Sequence, residues 1–183
     1  MLQFFIGRKR PTLPTLILQA IVKRGEKTSD GHIITALEPA WLEIIALLEK
    51  DPNLMYQIPS DKWEEIIAGS YEKAGFDKVV LTPRSRDLGR DVIAEKYGWG
   101  SVRFVDQVKA YKPGFLVTAE EVRALGFVLL ADQGASKGIV TTTSDFAPLI
   151  RKDDLIKSFI PTRIELVNGT ELRERLSYLA KQS

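Results

Sequence analysis

Residues 86–112 read RDLGRDVIAEKYGWGSVRFVDQVKAYK, and the fold turns on how they pair. Two runs rich in β-branched and apolar residues, 91–96 and 102–110, flank Tyr97-Gly98-Trp99-Gly100-Ser101. Glycine-containing connections of this kind join antiparallel strands, so the spacing predicts a hairpin. Within a strand, side chains two apart share a face. Gln107 and Lys109 therefore project together, and Asp106 points the other way. Asp91 opens the partner strand just after Gly89 and Arg90, and can stand opposite the Gln107–Lys109 face.

Outward from this hairpin, the chain alternates between helical and extended periodicity. Residues 61–74 form an amphipathic helix, with Trp63, Ile66, Ile67, Tyr71 and Ala74 on its apolar face. Ser60 or Asp61 caps it, and Gly75 ends it. Residues 78–82 are a short strand and 83–89 a polar loop. Thr118-x-x-Glu121 is a capping box that opens a helix to residue 132. Strands follow at 138–142 and 163–167, with weak helical character over 146–157 and a last helix over 171–181. Ser144 or Asp145 is expected to cap the helix after the Thr141-Thr142-Thr143 strand end. The order is α-β-β-β-α-β, then α-β-α. It predicts an α/β fold with a mixed sheet flanked by helices on both faces.

Residues 1–60 read differently. They suggest a strand or helix at 16–23, a turn at 28–31 and a helix at 39–50. The stretch DPNLMYQIPS, 51–60, marks a change of texture. We divide the chain into an N-terminal extension of unassigned role, 1–60, and a core domain, 61–183. Trp41 and Trp63 belong to helix interiors. Trp99, at the hairpin tip, can stack on a ligand or join a local aromatic cluster.

Composition excludes several chemistries. Among 183 residues there is no cysteine and a single histidine, His32. Thiolate metal sites, disulfides, cysteine nucleophiles and multi-histidine centres are thereby ruled out within one chain. Lys and Arg total 26 against 24 Asp and Glu, a net charge of +2. Any anion-binding surface must come from local clustering. Arg8, Lys9 and Arg10 precede an apolar run, but Pro11 and Pro14 interrupt it and no small-residue cleavage site follows. A signal peptide is not expected, nor is a membrane span, because no apolar run approaches the ~20 residues one needs. A cytoplasmic location is expected. The pattern G-x-x-x-x-G-K-[ST] is absent, so no nucleotide cofactor is expected.

Asp91, Gln107 and Lys109 place a carboxylate, an amide oxygen and an ammonium around one point. Hard divalent cations take oxygen ligands, and Mg2+ binds through one or two carboxylates with water and phosphate; Mn2+ can substitute. Lys109 can hold an attacking water and neutralise phosphate charge. On a helical wheel Glu64 borders the apolar face of the 61–74 helix and can reach the sheet edge, whereas Glu65 should face water. Asp91, Gln107 and Glu64 are the expected metal ligands. Arg84, Arg86 and Arg90 cluster before Asp91, and Lys112 follows Lys109. These four cations are expected to hold phosphates. Asp87 is a possible second acid.

The stretches WEEIIAGSYEKAGF, RDLGRDVIAEK, VDQVKAYK, GASKGIVTTTSDF and IELVNGTEL, in that order, resemble the Mrr-type restriction endonuclease domain of the PD-(D/E)xK nuclease superfamily. The resemblance covers roughly residues 61–176. It implies a restriction-endonuclease-like αβββαβ core, DNA as substrate and magnesium as cofactor. By position, it makes Asp91 the metal-binding acid, Lys109 the catalytic lysine, Gln107 the replacement for the superfamily's second acid, and Glu64 the helix glutamate. Arg90 stands where the superfamily has proline. The reading is a Mg2+-dependent DNA endonuclease of restriction or defence. A Holliday-junction or repair nuclease and a catalytically degenerate DNA-binding module are the alternatives. Cutting both strands requires two sites, which a homodimer would supply.

Overall fold

The structure, a computed structural model, describes residues 13–17, 19–83 and 89–182. Helix α1 (Leu13–Ile17) leads into strands β1 (Val22–Lys27) and β2 (His32–Ala36). Helix α2 (Glu38–Lys50), a 3-10 turn (Pro52–Gln57) and helix α3 (Ser60–Lys73) follow. Then come β3 (Lys78–Leu81), β4 (Val92–Lys96), β5 (Val102–Lys109) and the short β6 (Leu116–Val117). Helix α4 (Ala119–Ala131), β7 (Lys137–Thr142), the short β8 (Asp145–Phe146), β9 (Ile164–Val167) and α5 (Gly169–Ala180) complete the chain.

Among the described residues, one sheet has the order β1-β2-β3-β4-β5-β7-β9. Strands β1 to β5 pair antiparallel; β5, β7 and β9 run parallel. The parallel step from β5 to β7 needs a crossover, and α4 provides it. The predicted α/β fold, a mixed sheet between helices, is what the chain adopts.

Strand alternation sorts the core into two layers. Val79, Leu81, Val92, Ala94, Val108, Ile139 and Val167 pack on one face with residues of α2, α3 and α5. Val105, Val140, Ile164 and Leu166 pack on the other with Val122, Leu125 and Leu129 of α4. Trp41 and Trp63 are fully buried, and each indole N–H donates to a backbone carbonyl, of Ile66 and Met55 respectively, at 3.0 Å. A buried indole needs such a partner, so both rings are locked as well as packed. The capping box is present: Thr118 and Glu121 satisfy each other's backbone N–H groups.

Four local expectations change. Residues 16–23 span the end of α1 and the start of β1. The charged run VKRGEK of β1 is a strand with only Val22 buried, the composition of a protected sheet edge. Helix α3 starts at Ser60 with Pro59 as its cap residue and no side-chain cap. Of residues 146–157, Phe146 ends β8, which pairs with β6, Ile150–Lys152 form a 3-10 turn, and none lies in an α-helix. Neither Ser144 nor Asp145 therefore caps a helix; Asp145 begins β8.

Residues 22–36 add two strands to the sheet edge at β3, so this part of the 1–60 segment shares the sheet of the 61–183 segment. Gly31 makes that join possible. Its φ of +156° and a Cβ position 2.0 Å from the Leu81 carbonyl leave no room for a side chain. Among the described residues, no helix is long and apolar enough to cross a membrane.

Candidate active site

The antiparallel register of β4 and β5 ends with Val92 against Asp106. One residue earlier, the Asp91 backbone N–H donates to the Asp106 carbonyl at 3.0 Å. The Asp91 carboxylate then takes the place of a ladder carbonyl and accepts from the Val108 backbone N–H at 2.7 Å. It is thereby anchored beside β5 between Gln107 and Lys109. Thr82 at the end of β3 ties in the other side, its backbone N–H donating to the Asp91 carbonyl at 3.1 Å.

Gln107 is buried, and its Oε1 accepts no hydrogen bond from the described residues. Buried amide oxygens are nearly always satisfied, so this acceptor marks a position suited to a cation or a water. Gly89, at φ +77°, lies close to the same side chain; a Cβ there would sit 3.3 Å from Gln107 Nε2. The donor set of one anchored carboxylate and one buried amide oxygen fits a hard divalent cation. Among the described residues, no three Asp, Glu or His side chains converge closely enough to bind a metal by themselves.

Lys109 lies on the same face, two residues along β5. Its Nζ is 3.5 Å from Glu121 Oε1 at the start of α4. Tyr111 also donates its hydroxyl to that oxygen. Burial raises the Glu121 carboxyl, but hydrogen bonds from Thr118 and Tyr111 and the Lys109 charge outweigh it, leaving the group below the ordinary range. Burial and then the Glu121 hydrogen bond push the Tyr111 hydroxyl up to about 12. Sequence reading missed this role of Glu121. The capping box was visible, but nothing local indicates that the first turn of α4 lies over Lys109.

Asp106 faces the other side, as strand parity requires. It is 2% exposed; its Oδ2 accepts from Tyr71 Oη at 2.8 Å and Thr141 Oγ1 at 3.0 Å, and its Oδ1 has no partner. It floors a cleft of about 500 Å3 between α3 and α5. That cleft lies across the sheet from Gln107 and Lys109.

Glu64 sits in α3 with Ser60 Oγ 3.4 Å from its carboxylate. It borders a cavity with Asp61, Thr82 and Pro83, at the same end of the sheet as Asp91. Glu65 departs from expectation. Rather than facing water, it is 12% exposed, accepts from the Ile21 backbone N–H at 3.2 Å and pairs with Lys62 at 3.1 Å. The chain entering β1 covers this side of α3, a contact invisible to a helical wheel.

Arg84, Arg86 and Asp87 lie outside the described residues. Arg90 is brought to Asp132 at 3.3 Å and Asp30 at 3.8 Å, within a half-buried network that includes Arg103 and Glu95. Lys112 is exposed, beside Tyr56, Pro59 and Thr143. Trp99 is fully exposed and makes no ring contact, so the hairpin tip carries no aromatic cluster around it.

A family model described as a restriction endonuclease, the Mrr catalytic domain, matches residues 55–176. Two solved structures are similar, and the first of them shares the fold. One is MspJI restriction endonuclease in complex with a 27-mer oligonucleotide: 18% identity, 76% of this chain and 33% of that chain covered, TM-score 0.53. The other is the DNA modification-dependent restriction endonuclease AspBHI: 18% identity, 79% and 38% covered, TM-score 0.48. The chain thus spans only 33% and 38% of these proteins' lengths. No curated protein matches it by sequence.

Proposed function

Since the chain belongs to the Mrr catalytic-domain family of restriction endonucleases, we propose that it hydrolyses DNA phosphodiester bonds with a divalent cation, Mg2+ or Mn2+, in a restriction or defence role. The observation that carries this reading is the Asp91 carboxylate anchored on the Val108 amide, beside the unsatisfied Gln107 Oε1 and the Lys109 ammonium. Asp91 and Gln107 would hold the cation. Glu64 adds negative charge from α3 at the same end of the sheet. A bound cation supplies Lewis-acid stabilisation of the phosphate and makes its water more acidic.

The protein groups then divide the remaining work. Lys109 orients the attacking water and offsets the charge that gathers on the phosphate oxygens, an interaction that strengthens towards the transition state. The Val108 N–H fixes the orientation of Asp91, so the carboxylate needs no reorganisation on binding. Arg84, Arg86 and Lys112 bind backbone phosphates without reading sequence. Arg90, held by Asp30 and Asp132, fixes the chain immediately before Asp91. Two-strand cleavage would use a homodimer.

The test is cleavage of supercoiled plasmid, unmodified and methylated, with a four-way junction as a parallel substrate. Nicked or linear plasmid is expected with Mg2+ or Mn2+ and none with EDTA. Cleavage that persists in EDTA, or cleavage of the junction alone, contradicts the proposal.

A further inference from the structure

Glu121 uses both of its oxygens, and only one serves the helix. Oε2 accepts from the Thr118 backbone N–H at 2.9 Å and lies 3.0 Å from Thr118 Oγ1, which completes the capping box. Oε1 points away from the cap, accepts from the Tyr111 hydroxyl and lies 3.5 Å from Lys109 Nζ. A capping box requires nothing of this second set of contacts. Thr118 and Tyr111 fix the carboxylate from two sides, so the position it offers the ammonium is rigid.

Lysine is a compact charge on a flexible four-carbon stem. Catalytic use needs it held to within a fraction of an ångström, and misplacement by about 1 Å can cost about 100-fold in rate. The Lys109 side chain is only 22% exposed, and among the described residues its ionic partner is Glu121. We infer that Glu121, braced by Tyr111 and Thr118, is a positioning residue that holds the Lys109 ammonium on the face shared with Gln107 and Asp91. This inference rests on the nuclease reading of that site.

Glu121→Gln separates the two duties, because its one amide oxygen can still accept from the Thr118 N–H in the capping box, while an uncharged NH2 replaces the oxygen that faces Tyr111 and Lys109. The variant is expected to keep the wild-type Tm and a KM for plasmid within about twofold, with kcat lowered about 10- to 100-fold. Tyr111→Phe removes one brace and leaves the cap and charge intact; a smaller fall in kcat at unchanged Tm is expected. In a crystal structure of Glu121→Gln, Lys109 should populate more than one rotamer.

If Glu121 only caps α4, the Gln variant will match wild type in kcat as in Tm, with Lys109 in one rotamer, and the inference is overturned. Should the Gln variant fold poorly, Tyr111→Phe decides: wild-type kcat there overturns the inference. Lys109→Ala, assayed alongside, keeps the two claims apart. Wild-type cleavage by that variant defeats the nuclease reading itself.

Discussion

Lys109→Ala is expected to cleave DNA about 10²- to 10³-fold more slowly than wild type at unchanged fold. The lysine lies on the face of β5 that carries Gln107, and the Asp91 carboxylate is pinned beside it on the Val108 N–H. Removing a preorganised positive group from where negative charge develops forfeits stabilisation that water cannot replace. The loss should fall on kcat, because the interaction strengthens towards the transition state. Stability should hardly move: the side chain is partly exposed and its ion pair with Glu121 is of a kind worth at most about 1 kcal/mol. Circular dichroism and a Tm measurement establish the fold, and plasmid-cleavage rates give the effect. An unimpaired variant would remove Lys109 from the site.

Asp106→Asn is expected to change the pH dependence of stability by several kcal/mol. Burial pushes the Asp106 carboxyl up to about 7; hydrogen bonds from Tyr71 and Thr141 oppose this, and the Asp91 charge adds to it. In the unfolded chain the group titrates near 3.9. Between those values the folded state binds the proton that the unfolded state has lost, so stability must fall as pH rises. The contribution is fully present below about pH 4, declines across the interval and is gone above the folded value. The full span corresponds to an order of about 4 kcal/mol. Asparagine keeps the shape and accepts from Tyr71 without a charge to bury. Denaturation curves from pH 5 to 8 should therefore converge at the acid end, with the variant more stable at the alkaline end. Parallel curves for the two proteins would show that Asp106 does not titrate in this window.

What the sequence disclosed was governed by local rules. Strand parity alone separated Asp106 from Gln107 and Lys109, and the structure has them on opposite faces, against α3 and α4 respectively. The Thr118–Glu121 box and the amphipathic α3 are likewise set by residues within one or two turns. What stayed hidden depends on contacts between distant segments. The run VKRGEK shows no apolar alternation, because this edge strand buries only Val22. Glu65 looks exposed on a wheel because the wheel lacks the Ile21 amide, 44 residues away, that it accepts from. The 146–157 segment carries apolar residues at helical spacing, yet Val117 on β6 recruits Phe146 into a parallel pair. Glu121 was legible as a cap and illegible as the partner of Lys109, since only the crossover to β7 sets α4 over the end of β5.

The central claim is that a divalent cation is held by Asp91 together with Gln107. Crystals soaked in Mn2+ and measured for anomalous scattering test it most directly. The prediction is one peak in contact with the Asp91 carboxylate and Gln107 Oε1, absent from crystals of Asp91→Ala. A protein that cleaves DNA with Mn2+ yet shows no peak there, or shows its peak elsewhere and keeps it in Asp91→Ala, would contradict the account.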